Sequence, residues 1–173
     1  MKRPERLRRV VLLSCHCLRN VALYRSAWCG SRLIVTRQFW INANANALDI
    51  AVLEWCKLFA DREGKHHWTR VVVSRTEFRI KLLGVLGMSE PEFQQFVRTV
   101  LRYRNKFVAH LDEESTMHIP ELRALRRSSA FLYDWLRADA KNAMYLQDAT
   151  HSAKSFYDFF YRHGREEHRR GAA

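Results

Sequence analysis

The sequence has few of the residues that interrupt helices or turn one strand into the next. Only 6 glycines and 3 prolines occur in 173 residues, too few for a sandwich or barrel of many short strands. No run approaches the ~20 apolar residues of a membrane-spanning helix. The apolar run at 10–13 is shorter than the ~7–15 residues of a signal-peptide core. We therefore expect a helical, cytoplasmic protein with no membrane partner.

Acidic residues are also scarce relative to basic ones. The chain has 18 Asp and Glu against 30 Lys and Arg, a formal net charge of +12. A hydrophobic fraction of 47% excludes a disordered basic tail, which could not build a core. A folded basic domain favours a polyanionic partner. Because the positive charges are spread over most segments rather than one amphipathic helix, nucleic acid is favoured over a membrane surface.

The four cysteines are too few and too clustered for a secreted disulfide scaffold. Cys15, His16 and Cys17 resemble a fragment of a metal site, but no second pair of ligands follows at zinc-site spacing. Neighbouring positions on a helix also point about 100° apart. We expect reduced thiols, and neither a metal nor a cofactor.

Apolar spacing and helix start signals predict one domain, 1–173, that is all-α with about five to six helices in an antiparallel bundle. Capping boxes are expected where Ser74 precedes Glu77 and where Ser89 precedes Glu92. The segments 1–4 and 162–173 are expected to fray because they are charged chain ends. The predicted helices are Glu5–Trp28, Ile41–Phe59, Ser74–Leu86, Ser89–His110, Pro120–Leu136 and Ser152–Tyr161.

The second predicted helix is the most hydrophobic and is expected at the centre of the bundle. Its apolar residues step by three or four positions, which gives one buried stripe. The alternating asparagines are interpreted as polar or near-surface positions. The stripe consists of Ile41, Ala45, Leu48, Val52, Trp55 and Phe59, and the asparagines are Asn42, Asn44 and Asn46.

The segment 93–111 contains no acidic residue and has an arginine where its apolar row should continue. Phe93, Val97 and Val100 form the row, and the next position on the same face is Arg104. An ionised side chain in a core-facing row is costly unless it is paired or lines a polar cavity. Arg104 is therefore the main candidate for function. The basic residues of the segment are Arg98, Arg102, Arg104 and Lys106.

Arg104, Asn105 and His110 together resemble the signature of the HEPN superfamily, an arginine, a polar residue and, after a short interval, a histidine. Five residues separate Arg104 from His110. The run 108–112, Val-Ala-His-Leu-Asp, looks most like the phage abortive-infection branch of that superfamily. The helix end at Lys57-Leu58-Phe59, followed by His66, His67 and Trp68, is similar to that branch as well.

This resemblance implies a HEPN-like helical bundle that forms a two-fold homodimer and acts as a metal-independent endoribonuclease, a toxin or phage-defence effector. It implies Arg104, His110 and Asn105 as catalytic residues, and RNA bound with the help of Arg98, Arg102 and Lys106. An antitoxin or defence-system protein is an implied partner. Asp112 stands where toxins partnered by nucleotidyltransferases have a tyrosine, so that kind of regulation is not implied. The alternative is a non-catalytic RNA-binding or interaction module, because many members of the superfamily look inactive.

Chemistry supports the pair independently of the resemblance. Histidine titrates near neutral pH and serves as acid or base, and the arginine fork matches phosphate oxygens. On a regular helix Arg104 and His110 lie roughly 120° apart. Either the helix is distorted near Ala109 or, as we expect, a two-fold mate completes the site.

A purely structural interpretation of the two residues also stands. Arg104 would pair with the buried Asp49, and His110 would cap the end of its helix. His66 and His67 are interpreted as details of a loop, with contact to the substrate as the alternative.

Overall fold

The computed structural model describes residues 2–109 and 118–172, and in this part of the chain the fold is mostly helical. The expected all-α class is confirmed. None of the helices in these two ranges is both long and apolar enough to cross a lipid bilayer. The α-helices are α1 (Arg3–Ser26), α2 (Gln38–Phe59), α3 (Arg75–Leu86), α4 (Glu90–Tyr103), α5 (Leu122–Ala138) and α6 (Ala153–Ala172).

Shorter elements connect the helices. A π-helical segment, Arg104–Ala109, continues α4, and 3-10 turns lie at Trp68–Arg70 and Ala140–Tyr145. A hairpin of two antiparallel strands, β1 (Trp28–Cys29) and β2 (Arg32–Leu33), follows α1. Gly30 turns the chain there with φ +61°, a conformation that favours glycine. The sequence indicated only a break at this point, since strands of two residues carry no periodicity.

Only one of the two predicted capping boxes forms. At the start of α4, the backbone N–H of Ser89 donates to Glu92 Oε2 at 2.7 Å, and Pro91 fits the first turn. At the start of α3, the side chain of Ser74 makes no capping hydrogen bond. Glu77 instead accepts from Lys81 Nζ at 2.7 Å, one turn further along the helix. The second prediction was wrong because a helical ion pair competes for the same carboxylate.

The core is centred on Trp55 of α2, which is fully buried. Its ring stacks on Phe59 with centroids 5.3 Å apart and meets Phe96 of α4 edge-on at 5.2 Å. Its indole Nε1 donates to Ser128 Oγ of α5 at 2.8 Å. These contacts fix α2 against both α4 and α5, as its apolar pattern predicted.

The first half of α2 departs from the expected pattern. Asn44, interpreted as a near-surface residue, is buried, and the hydrophobic Ile50 is 41% exposed. Ala45 is exposed and Ile41 only half-buried. The predicted buried stripe is thus correct from Leu48 onward and wrong before it, because no described element covers that face of the helix.

The charged end of the chain is helical and packed, so the expectation that 162–173 frays is wrong for residues 162–172. Arg165 Nη1 donates to the carbonyl oxygens of Ser26 and Trp28 at 3.1 and 3.0 Å. His168 is buried, with Nδ1 3.3 Å from Ser26 Oγ and its ring edge-on to Trp40. Residues 2–4 likewise belong to the cap and first turn of α1.

Candidate functional site

Arg104 lies where α4 changes into the π-helical segment Arg104–Ala109. Its preceding neighbour Tyr103 is buried, while the side chain of Arg104 is 24% exposed. π-helical bonding is rare and is found most often as single turns at functional sites. The distortion considered near Ala109 is therefore present, and it begins at Arg104.

Two side chains hold the guanidinium of Arg104. Nη1 donates to Asp61 Oδ1 at 2.7 Å, and Nε donates to Asn105 Oδ1 at 3.0 Å. Asp61 lies just after α2, so the ion pair joins the end of α2 to the end of α4. Within the described residues, Nη2 makes no hydrogen bond. The guanidinium is thus held at two of its three nitrogens, and Nη2 keeps its donor N–H groups.

The half-buried Asp49 is not the partner of Arg104. It accepts a hydrogen bond from the hydroxyl of Tyr103 at 2.9 Å. Burial raises the pKa of Asp49, and the bond to Tyr103 opposes that shift. Burial and the same hydrogen bond raise the pKa of Tyr103. The expected pair Asp49–Arg104 was wrong because Arg104 is rotated about 100° from Tyr103 around the helix axis, which directs it to Asp61.

The other predicted basic residues do not converge on Arg104. The side chain of Arg98 is exposed, and its Nε and Nη2 both donate to Gln95 Oε1, at 3.0 and 2.7 Å. Arg102 is also exposed. By regular helix geometry, Arg98 and Arg102 lie roughly 120° and 160° from Arg104 around the axis. Lys106 is half-buried in the π-helical segment. The structure brings together Arg104 and Asn105, but it places Arg98 and Arg102 on another face.

His110 and residues 111–117, including Asp112, lie outside the described residues. The catalytic role of His110 therefore stays a prediction from the sequence.

His67 is a buried part of the fold rather than a loop detail. Its Nε2 lies 3.3 Å from the carbonyl oxygen of Phe59, and its Nδ1 lies 2.8 Å from Thr69 Oγ1. Since a carbonyl only accepts, Nε2 carries the proton and Nδ1 accepts from Thr69. Burial lowers the pKa of His67 to about 4, against the weaker effect of the Phe59 bond. The imidazole is neutral near pH 7. Its neighbour His66 is half-buried.

A cleft of about 350 Å³ lies between the 3-10 turn Trp68–Arg70 and α4, and we name it the α4 cleft. Its floor is apolar, and six polar side chains line it. No pattern in the sequence indicates this cleft, because its residues come from three separate segments of the chain. The polar lining consists of Arg62, His67, Thr69, Arg79, Glu90 and Gln94.

A hydrogen-bonded series crosses one wall of the α4 cleft. Arg62 Nη2 donates to Gln94 Oε1 at 3.2 Å, and Gln94 Nε2 donates to Glu90 Oε1 at 2.7 Å. Arg79 donates to both carboxylate oxygens of Glu90, at 2.8 and 2.6 Å, and lies 4.1 Å from the centre of the Phe93 ring. The bond from Arg79 lowers the pKa of Glu90 to about 2. Arg79 and Glu90 therefore form a neutral pair.

The cysteines of the Cys15-His16-Cys17 run do not meet. Cys17 is buried and accepts a hydrogen bond from Ser129 Oγ at 3.2 Å, whereas Cys15 is half-buried. Burial raises the pKa of these thiols to about 12 and about 11 respectively. Over residues 2–109 and 118–172, no three potential metal ligands cluster. Both thiols are protonated near neutral pH and act as packing groups.

No family model matches this chain, and no curated protein or solved structure matches it either. The functional interpretation depends on Arg104, its neighbours and the surrounding charge.

Proposed function

We propose that this chain is a metal-independent endoribonuclease of the HEPN type, a toxin or phage-defence effector acting in the cytoplasm. Arg104 and His110 are its catalytic residues, and Asn105 holds Arg104. The observation that carries the proposal is the guanidinium of Arg104, fixed by Asp61 at 2.7 Å and by Asn105 at 3.0 Å with Nη2 uncommitted among the described residues.

The proposed reaction needs a base, an acid and a positive charge. The 2′-oxygen of a ribose attacks the adjacent phosphorus and the bond from phosphorus to the 5′-oxygen breaks, leaving a 2′,3′-cyclic phosphate and a 5′-hydroxyl. A neutral His110 takes the proton of the 2′-hydroxyl, and a protonated His110 of a second copy gives one to the 5′-oxygen. Arg104 stabilises the negative charge that grows on the phosphate oxygens.

The way Arg104 is held suits this role. A guanidinium is planar and permanently charged, so bonds at two of its nitrogens fix the direction of the N–H groups on the third. Donors that are already oriented need no rearrangement when charge develops in the transition state. Asp61 therefore acts as a positioning residue, since it touches Arg104 rather than the substrate.

The proposal includes a homodimer, and one face of α2 supports it. Phe39, Asn42, Asn46 and Ile50 follow one another at helical spacing; all four are exposed, and Phe39 is 72% exposed. No charged residue occurs from 38 to 48. Two chains of charge +12 repel least where they meet through an uncharged surface. An antitoxin or defence-system protein remains a further proposed partner.

The test is incubation of the purified protein with total RNA in EDTA, followed by mapping of the ends. We expect 2′,3′-cyclic phosphates from the wild type and a loss of about 10²–10⁴-fold in rate for His110→Ala. His118→Ala is the matched control, because His118 is exposed and lies eight residues away. It is expected to cut like the wild type.

A second candidate function is RNA binding without cleavage. The ion pair between Arg104 and Asp61 favours this second function, because an arginine with a purely structural role would make the same ion pair. In that case the wild type shifts RNA in a gel but never cuts it, with or without added metal. Affinity that is independent of salt would contradict both functions, since phosphate contacts weaken steeply with salt.

A further inference from the structure

We propose that the α4 cleft binds a nucleotide of the same RNA strand, about four nucleotides from the cleaved phosphate, with Arg62 on the phosphate of that nucleotide. This inference depends on the proposed function for the identity of the ligand.

The α4 cleft and Arg104 lie along one side of α4. Gln94, Val97, Leu101 and Arg104 are spaced by three, four and three residues, which places them in one row. From Gln94 to Arg104 the helix rises about 15 Å. A strand at ~3.4 Å per stacked nucleotide covers that length in about four nucleotides. A strand held at Arg104 can therefore reach the cleft.

Asp61 and Arg62 connect the two places directly. Asp61 holds Arg104 at the end of α4, and the adjacent Arg62 holds Gln94 nearly three turns earlier, at 3.2 Å. These two residues, which follow the C-cap Ala60 of α2, therefore contact both ends of the row. Arg62 lines the cleft and is exposed.

The charges of the α4 cleft fit a ligand with one phosphate. Arg79 and Glu90 neutralise each other, and His67 is neutral. Among the described residues, no carboxylate lies within ion-pair distance of Arg62. One net positive charge beside an apolar floor of Phe59, Phe93 and Val97 suits a base and its phosphate. A polyphosphate would need more positive charge than the cleft carries, and a metal ion would need negative charge.

The α4 cleft lacks the groups for a second reaction centre. Both ring nitrogens of His67 are committed to Phe59 and Thr69, so this histidine has no nitrogen left for proton transfer to a ligand. Glu90 is ionised and paired with Arg79. After their bonds to Arg62, Glu90 and His67, the Gln94 amide keeps one N–H and one lone pair and the Thr69 hydroxyl keeps lone pairs. These groups can meet the edge of a base. The cleft therefore binds substrate rather than cutting it.

The test separates binding from cleavage by using a fluorescent 2′-O-methyl RNA 12-mer, which has no 2′-hydroxyl to attack. We expect Arg62→Ala to weaken its binding roughly tenfold and to lower the salt slope by about one. Arg169→Ala removes the same charge from an exposed site on α6 and is expected to stay within twofold of the wild type. Val97→Phe, which fills the floor, is expected to weaken binding without changing the salt slope. Circular dichroism melts identify variants that fail to fold.

The outcomes distinguish this inference from the proposed function. Equal affinity and salt slope in Arg62→Ala and Arg169→Ala would overturn it, even if the wild type cleaves RNA. A tenfold loss in Arg62→Ala supports the cleft even if the wild type never cleaves, and then only the nuclease proposal fails. Binding of free 5′-mononucleotides but not of the 12-mer would also overturn it, because the cleft would then serve a small nucleotide.

Discussion

Arg104 and Arg165 are both half-buried arginines that join distant elements, and they are held in different ways. Nη1 of Arg165 donates to two backbone carbonyls, those of Ser26 and Trp28, and so ties α6 to the end of α1 and the hairpin. Arg104 is held by the side chains of Asp61 and Asn105. Backbone carbonyls lose their partner if Arg165 is removed, whereas Asp61 remains free to turn toward water. The first arginine is built for stability and the second for orientation.

Replacing each arginine by alanine is the strongest test of this difference between Arg104 and Arg165. Arg104→Ala is expected to reduce RNA cleavage by about 10²–10³-fold and to change the free energy of unfolding by less than about 1 kcal/mol, since its ion pair is partly exposed. Cleavage assays in EDTA and urea titrations of the same preparation measure the two quantities.

Arg165→Ala is the matched control for that prediction. It is expected to lower the free energy of unfolding by about 1–3 kcal/mol, because it leaves partly buried carbonyls unpaired. Cleavage per folded molecule is expected to stay at the wild-type rate. If Arg104→Ala destabilises as much as Arg165→Ala, Arg104 is structural.

Each of the two regions also contains a buried histidine whose pKa is lowered by burial, His67 near Arg104 and His168 near Arg165. In the site region the pKa of His67 is about 4, against an ordinary 6.5. At pH values between about 4 and 6.5, the unfolded chain therefore binds a proton at His67, and the folded chain does not. The contribution of His67 to the free energy of unfolding is fully present above pH 6.5. It falls by about 2–3 kcal/mol as the pH drops from there to about 4.

Urea titrations at pH 7.5 and 4.5 measure this dependence. The difference between the two pH values is expected to shrink in His67→Gln and to persist in His118→Gln, whose side chain is exposed. An undiminished difference in His67→Gln would show that other groups, such as the buried His168, carry the acid sensitivity.

What the sequence could predict follows from the range of each interaction. Periodicity located α2 and the burial of Trp55 and Phe59, because these depend on spacing within one helix. The box at Ser89 and Glu92 is equally local. The ion pair from Arg104 to Asp61 spans 43 residues, and its partner is decided by how α4 is rotated against α2. Spacing within α4 contains no such information, which is why Asp49 was the expected partner.

The charged end of α6 shows the same limit. Composition alone predicts fraying there. Arg165 and His168, however, are three residues apart and lie on one side of the helix. They contact Ser26 and Trp28, which are more than 130 residues earlier in the sequence. For the candidate site, the sequence identified Arg104 and Asn105, which the structure places in contact. It missed Asp61 and Arg62, since a polar loop gives no sign of which helix its side chains reach.

The smallest effect that we expect is at Asp61, and it tests whether this carboxylate orients Arg104. Asp61→Asn keeps an oxygen that can accept from Arg104 but removes the charge, so the guanidinium is held less firmly. We expect the rate at saturating RNA to fall about tenfold, the cost of an imperfectly oriented catalytic group. Binding of the 2′-O-methyl 12-mer is expected to stay within twofold or to tighten, since one negative charge near the phosphate is lost.

Comparing saturating rate with affinity distinguishes orientation from stability at this residue. Asp61→Glu is expected to restore part of the rate, because a carboxylate one methylene longer still reaches Arg104. Glu63→Gln is the control, since Glu63 lies in the same loop and pairs with Arg70 at 3.6 Å instead. Equal loss of rate in Asp61→Asn and Glu63→Gln would mean that only general charge matters there. Arg104 would then share with Arg165 a role in joining helices, and the catalytic role would have to rest on His110 alone.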